Sequence, residues 1–309
     1  MELLFNHFVT DNTVYTLETL SQLESDTPLL GVIGYPIKHS KSPLFQQAAL
    51  DHSGRAEKYV KIEVPEDQFS DVIDKMKRMP FLGWNITIPH KRSMAETVDE
   101  KMESALLLGG VNTVLNQNGV LKGYNTDGMG WKHAVRESFS LDIHDLRILI
   151  LGAGGAGAGL ARQAAADQCE RLVIANRTVE TAQSLAEELK ESMKSQRLQG
   201  AQALVKAIPL DPEAIRAEID TIDLIVNTTS IGLRPEDGSM IPESIIQPHL
   251  CVYDTIYGEH ETPLIRSARQ AGARTASGLS MLLHQGALSY EIWTGQPAPI
   301  EVMRQALTS

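Results

Sequence analysis

The segment Asn85-Ile86-Thr87-Ile88-Pro89-His90-Lys91 brings an amide, a hydroxyl and an amine together within one short stretch. Asn85 and Thr87 alternate with Ile86 and Ile88, so a strand over 81–88 puts both polar groups on one face. Pro89 cannot donate to a sheet ladder and is expected to end that strand, which leaves Lys91 just past it. Such a strand end suits a polyhydroxylated small molecule. Further along, Asn125-Thr126-Asp127 offers the lysine a carboxylate partner. The same residues also suit an ordinary edge strand with a solvated lysine, and the segment alone does not choose between the two readings.

Other polar groups fall at the ends of apolar runs. His39-Ser40-Lys41-Ser42-Pro43 gives two hydroxyls before a helix, and Ser42 is also placed to cap that helix. Val111-Asn112-Thr113 adds an amide. Gly278-Leu279-Ser280-Met281-Leu282-Leu283-His284-Gln285 opens a late helix with Met281 and Gln285 one turn apart on one face.

A second kind of chemistry is written at Gly152-Ala153-Gly154-Gly155-Ala156-Gly157. The spacing GxGxxG lies between a buried strand, Arg147–Leu151, and a helix running to about Asp167. In that setting the three glycines allow a tight turn, close backbone approach to a pyrophosphate, and close helix packing. The helix N-terminus then presents unbonded N–H groups to the phosphates. The following strand ends at Ala175-Asn176-Arg177-Thr178. No acid is there to bind a ribose 2′-hydroxyl, and Arg177 can pair with a 2′-phosphate and stack on adenine, which favours NADP over NAD.

These groups need elements to hold them. In the first part of the chain, strands are expected at 29–35, 59–64 and 81–88, and helices at 43–53, 67–79 and 98–108. The pair 111–116 and 120–124 around Gln117-Asn118-Gly119 reads as a hairpin. A short helix is expected near 17–23. From Gly128 a helix should run to about Phe139. A fresh series follows, with strands at 147–151, 171–175, 224–227 and 251–254 and helices at 179–194 and 263–272. A last long helix runs from near Ser280 through Tyr290. The stretch 192–202 is polar and without period. Alternating strands and helices imply an α/β fold with mostly parallel sheets.

At 309 residues the chain is expected to form two domains. Its 42% apolar and 22% charged residues are ordinary for a globular protein. A net charge of −11 argues against nucleic acid or an anionic membrane as the main partner. Cys169 and Cys251 each sit in an apolar segment, no cysteine or histidine cluster has metal-ligand spacing, and so no metal is expected. No basic leader precedes an apolar run and no long apolar stretch occurs, so a cytoplasmic protein is expected. Monomer and homodimer remain equally open.

Taken together, the motifs resemble the shikimate dehydrogenase family. The matching segments are 34–43 (GYPIKHSKSP), 85–91, 110–114 (GVNTV), 125–127 with Gly130, the glycine loop, 176–178, 227–232 (NTTSIG), 254–257 with Thr262, and 278–285. They follow the family's order from residue 31 to 295. The resemblance implies an N-terminal substrate-binding and catalytic domain over 1–127, to which 279–309 returns, and a Rossmann-like dinucleotide-binding domain over 128–278. It implies that Ser40, Ser42, Asn85, Thr87, Lys91, Asn112, Asp127, Tyr257 and Gln285 hold the substrate, with Lys91 and Asp127 as the catalytic pair. Gly152, Ala153, Gly154, Gly155, Ala156, Asn176, Arg177, Thr178 and Thr228 would hold NADP, and Gly278 and Met281 would lie by the nicotinamide.

The implied reaction is the reversible NADPH-dependent reduction of 3-dehydroshikimate to shikimate, a step of chorismate and aromatic amino acid biosynthesis. Four positions depart from the usual family pattern: Gln46-Gln47 replaces His-Asn, Thr181 replaces a second basic residue, and Glu259 replaces a proline. Three other functions are weighed against it: a quinate/shikimate dehydrogenase that also uses NAD, a dinucleotide-binding regulator without turnover, against which the intact Lys91 and Asp127 argue, and a dehydrogenase on the same scaffold for another small molecule, such as an amino-substituted shikimate.

Overall fold

The computed structural model describes residues 13–23, 27–193, 204–234, 236–258 and 260–308. The chain divides into two units, residues 1–126 with 285–309, and residues 127–284. Both are α/β.

The first unit carries strands β1 (Val14–Tyr15), β2 (Leu29–Gly34), β3 (Lys58–Glu63), β4 (Phe81–Ile86), β5 (Glu100–Lys101), β6 (Thr113–Gln117) and β7 (Val120–Tyr124). Its helices are α1 (Ser42–His52), α2 (Phe69–Arg78), α3 (Lys91–Thr97) and α4 (Glu103–Leu108). The sheet order is β1-β3-β2-β4-β6-β7-β5. β1 to β4 run parallel, and β6 runs antiparallel to β4 and β7. β2 is buried at every position, as a central parallel strand covered on both faces must be. Asn118 and Gly119 both take positive φ, 55° and 89°, and make the tight turn of the expected hairpin.

Three expectations change here. The strand expected over 81–88 stops at Ile86, because the chain turns at once: His90 N–H bonds back to the Thr87 carbonyl at 3.0 Å. The helix expected over 98–108 is instead the short strand β5 followed by α4, with α3 ending before it at Thr97. Sheet pairing takes those residues: Leu121 N–H donates to Asp99 Oδ2 at 2.7 Å, and Glu100 and Lys101 pair with Lys122 and Gly123. In place of the short helix expected near 17–23, a 3-10 turn forms at Leu20–Gln22.

The second unit begins with α5 (Asp127–Phe139). Strands β8 (Arg147–Leu151), β9 (Arg171–Asn176), β10 (Val205–Pro209), β11 (Leu224–Asn227), β12 (Cys251–Asp254) and β13 (Arg274–Ser277) follow, with α6 (Gly155–Ala166), α7 (Val179–Lys190), α8 (Pro212–Arg216) and α9 (Pro263–Gln270). All pairs are parallel, in the order β10-β9-β8-β11-β12-β13. That is the doubly wound arrangement of a dinucleotide-binding sheet. Side chains alternate between two cores, as strand geometry requires. Ile148, Ile150, Leu172 and Ile174 face the helices α5, α6 and α7, while Leu149, Leu151, Val173 and Ala175 face α8 and α9.

α10 (Leu279–Thr294) starts in the second unit and ends in the first, and α11 (Ile300–Thr308) packs on α1. Both cysteines are buried and unbonded to each other. The unpatterned stretch near 192–202 and Glu259 fall mostly or wholly outside the described residues. Among the described residues no helix is long and apolar enough to cross a membrane.

Candidate active site

In the first unit the heptapeptide becomes a sharp corner between β4 and α3. Its anchor is His90, 1% exposed, whose Nε2 donates to the Val64 carbonyl at 2.5 Å and whose ring stacks on Phe69 at 4.9 Å. Lys91, half-buried, is the first residue of α3. Its carbonyl accepts the Val111 N–H at 2.9 Å. Asn125 donates from Nδ2 to the Gly110 carbonyl at 2.9 Å. The lysine and the segment leading into Asp127 are thus both tied to residues 110–111.

Beside this corner lies a buried hydrogen-bonded network. Asn85 Oδ1 accepts from the Tyr59 hydroxyl at 2.7 Å. Asn85 Nδ2 donates to Thr113 Oγ1 (3.0 Å), Ser289 Oγ (2.9 Å) and the Asn112 carbonyl (3.2 Å). Asn112 Nδ2 donates to Thr126 Oγ1 at 2.9 Å and to Gln285 Oε1 at 3.4 Å. Ser42 hydrogen-bonds to the Tyr59 hydroxyl, and burial of that ring raises its pKa well above the usual value. Ser42, Asn85, Asn112 and Gln285, four residues singled out by sequence, are therefore linked. Asn85, expected to face a ligand, has its amide bonded within the protein. Ser40 stands next to the network, its Oγ accepting the Ser42 N–H at 3.3 Å, and Thr87 is half-buried at the β4 end. Gln46, one of the departures, donates to the Gly286 carbonyl at 2.8 Å, a helix-packing contact.

Four members of this network escaped sequence reasoning: Tyr59, Thr113, Thr126 and Ser289. Thr113 and Thr126 adjoin residues that were singled out. Ser289 lies one helical turn after Gln285, a spacing that signals a shared face. Tyr59 carries no local signal, because only sheet register brings it to Asn85.

The second unit holds the remaining candidates. Asp127 is the half-buried first residue of α5. In the glycine loop, Gly152 has φ +102°. Gly154 caps α6, and it and Gly155 have open space where a Cβ would stand. The Ala153 N–H donates to Asn176 Oδ1 at 3.0 Å, and Asn176 Nδ2 donates to the Thr178 carbonyl at 2.9 Å. Thr228 Oγ1 donates to the Leu151 carbonyl at 2.8 Å, closing the loop's other side. Gly154, Gly155 and Ala156 are exposed, as are Arg177 and Thr178. The first N–H groups of α6 have no carbonyl one turn back to bond. An open rim of small residues around a helix N-terminus fits a pyrophosphate, and the exposed Arg177 fits a phosphate beyond it.

At the end of β12, Asp254 is wholly buried. Burial raises its pKa, opposed by bonds from Thr262, Ile256 and Asn227. Thr262 Oγ1 donates to Asp254 Oδ2 at 2.6 Å, which fixes the loop carrying Tyr257. Tyr257 is 36% exposed, and the protein around it raises its pKa. It lines a cavity of about 270 Å³ with His260, Glu261, Arg269 and Ser277. Gly278 sits where a Cβ would lie 2.0 Å from the Thr255 carbonyl oxygen. The Met281 N–H donates to the Tyr253 hydroxyl at 3.1 Å, and its side chain packs against the core of this unit. Among the described residues no group of three or more His, Cys, Asp or Glu is placed to hold a metal ion.

Comparison with known proteins accounts for both units. The family model described as shikimate dehydrogenase substrate binding domain matches residues 32–114. That for shikimate / quinate 5-dehydrogenase matches 133–211, and that for the shikimate 5'-dehydrogenase C-terminal domain matches 278–308. The shikimate dehydrogenase (NADP(+)) of Methanopyrus kandleri is 38% identical over 287 residues, 92% of this chain and 96% of that one. A shikimate dehydrogenase solved in complex with NADP+ has a TM-score of 0.82 at 36% identity, covering 91% of this chain and 95% of that one. The shikimate 5-dehydrogenase of Listeria monocytogenes, solved with shikimate and NAD, has a TM-score of 0.80 at 33% identity, covering 91% and 96%. With such identity sustained over nearly its whole length, the chain belongs to the shikimate dehydrogenase family.

Proposed function

We propose that this chain catalyses the reversible NADPH-dependent reduction of 3-dehydroshikimate to shikimate, in the cytoplasm. The observation that carries the reading is the near full-length likeness to a relative named shikimate dehydrogenase (NADP(+)). The glycine loop with Asn176, Arg177, Thr178 and Thr228 would hold the dinucleotide, and Gly278 and Met281 its nicotinamide. Bound NADPH supplies the hydride that reduces the ketone carbon.

Lys91 is assigned as the acid–base group and Asp127 as the second catalytic residue. As hydride arrives, negative charge grows on the carbonyl oxygen, and the Lys91 ammonium donates a proton to it. The lysine regains that proton from solvent. In the oxidation direction the neutral amine accepts the hydroxyl proton. Ser40, Ser42, Asn85, Thr87, Asn112, Tyr257 and Gln285 are assigned to the ring hydroxyls and carboxylate. Asn85, already bonded to Tyr59, Thr113 and Ser289, does this with a geometry fixed before substrate arrives.

The experiment is a set of initial rates with shikimate and quinate, each with NADP+ and NAD+. The reading expects the highest kcat/KM for shikimate with NADP+. Turnover confined to quinate with NAD+ would overturn the substrate and cofactor assignment, and cofactor binding without turnover would overturn the enzyme.

A further inference from the structure

We propose that β3 positions the serine-bearing loop 37–42, and that Tyr59 and Lys61 act on substrate binding through that loop without touching the substrate. This rests on the assignment of Ser40 and Ser42 to the substrate.

Tyr59, Lys61 and Glu63 alternate along β3 and so share one face, while Val60 and Ile62 enter the core on the other. Each of the three bonds the loop at a different point. The Tyr59 hydroxyl is bonded to Ser42, Lys61 Nζ donates to the Lys38 carbonyl at 3.1 Å, and Glu63 Oε2 accepts the Ile37 N–H at 3.3 Å. The loop itself supplies two short-range bonds, Ser40 N–H to the Ile37 carbonyl and Ser42 N–H to Ser40 Oγ. Side chains of β3 therefore fix where it stands.

Tyr59 is 4% exposed, with its ring 6.0 Å from that of Trp293, and Lys61 is 5% exposed. A buried ammonium and a buried phenol are costly to keep unless bonded. Here their bonds go to the loop that carries two candidate ligand groups. The Tyr59 hydroxyl also donates to Asn85 Oδ1, so one atom couples the serine loop to the β4 end. A ligand that needs Ser42 and Asn85 at a set separation meets that separation ready-made, which lowers the ordering cost of binding.

The test is steady-state kinetics on the whole chain with Tyr59→Phe, Lys61→Met, Ser42→Ala and the Tyr59→Phe/Ser42→Ala double variant. Tyr59→Phe should raise KM for shikimate about tenfold, since Ser42 and Asn85 each lose a buried partner. KM for NADP+ should stay unchanged, and kcat should change by less than about threefold. Lys61→Met should shift KM for shikimate in the same direction. In the Ser42→Ala background, Tyr59→Phe should add less than about twofold, because coupled neighbours are non-additive.

Equal rises in both KM values, fully additive effects, or an unchanged KM for shikimate in both single variants would overturn the proposal. If Tyr59→Phe does not fold, Lys61→Met decides alone. A wild-type chain inert toward shikimate would overturn the assignment beneath the proposal as well, whereas an active wild type with insensitive variants overturns only the role of β3.

Discussion

The α-carbon of Gly157 faces the carbonyl of Gly152 so closely that a methyl group placed there would lie 2.1 Å from that oxygen, and 2.6 Å from Thr228 Oγ1. The third glycine of the loop is therefore a packing requirement. The second is different: a Cβ on Gly154 meets nothing within 4 Å, and its φ of −73° suits any residue. Gly157→Ala should destabilise the protein by about 1–3 kcal/mol through overpacking. Gly154→Ala should leave the melting temperature unchanged and raise KM for NADP+, because its methyl group occupies space that a phosphate would need. Thermal melts and cofactor kinetics on the two variants check this. A Gly154→Ala protein with wild-type KM for NADP+ would contradict the cradle.

Arg177 stands exposed between β9 and α7, with Thr181 in the first turn beyond it. If Arg177 meets the 2′-phosphate, Arg177→Ala removes a charge-assisted contact of about 1.5–3 kcal/mol. KM for NADP+ should rise roughly ten- to hundredfold while KM for NAD+ hardly moves. Thr181→Arg should strengthen NADP+ binding by adding a second basic group. Equal losses for both cofactors in Arg177→Ala would remove the basis for NADP selection.

The strands of the second unit were legible because a parallel sheet covered on both faces demands short unbroken apolar runs. Arg147–Leu151, Leu224–Asn227 and Cys251–Asp254 are such runs, and they form at the bounds their composition marks. β10 and β13 are the sheet's two outer strands. Arg274-Thr275-Ala276-Ser277 has no apolar run to mark it, and neither strand was foreseen. In the candidate site, residue types announced Ser42, Asn85, Asn112 and Gln285. Their mutual bonding was not legible, because it depends on β3 and α10 delivering Tyr59 and Ser289 from distant parts of the sequence. The alternation at Asn85 and Thr87 suggested a ligand-facing amide, and it could not reveal that four protein groups would be bonded to that amide.

Glu218 bridges Arg171 (2.5 Å) and Lys206 (2.5 Å) with its side chain 8% exposed. Burial pushes its pKa up, but the bonds and charges of Lys206 and Arg171 outweigh that and hold it below the ordinary value. Asp223 is depressed in the same way against Arg147. A carboxylate whose folded pKa lies below its unfolded value stabilises the protein above the unfolded pKa, about 4.3 for Glu, and loses that contribution as the pH falls through the folded value. Glu218→Gln should cost about 2–4 kcal/mol at neutral pH, because it leaves Arg171 without its charge partner. The gap in melting temperature should narrow as the pH drops below about 4. Calorimetry of both proteins across that range checks the sign, and a gap constant with pH would refute the assignment.

Lys91 carries the central claim. The most direct measurement is NADPH formation by wild type and Lys91→Ala with saturating shikimate and NADP+, alongside shikimate binding to each. Wild type should turn over. The variant should still bind shikimate, while its kcat falls by about 10²–10⁴-fold, the usual contribution of a general acid–base group. A wild-type protein without turnover, or a Lys91→Ala protein that keeps near-full kcat, would contradict the account.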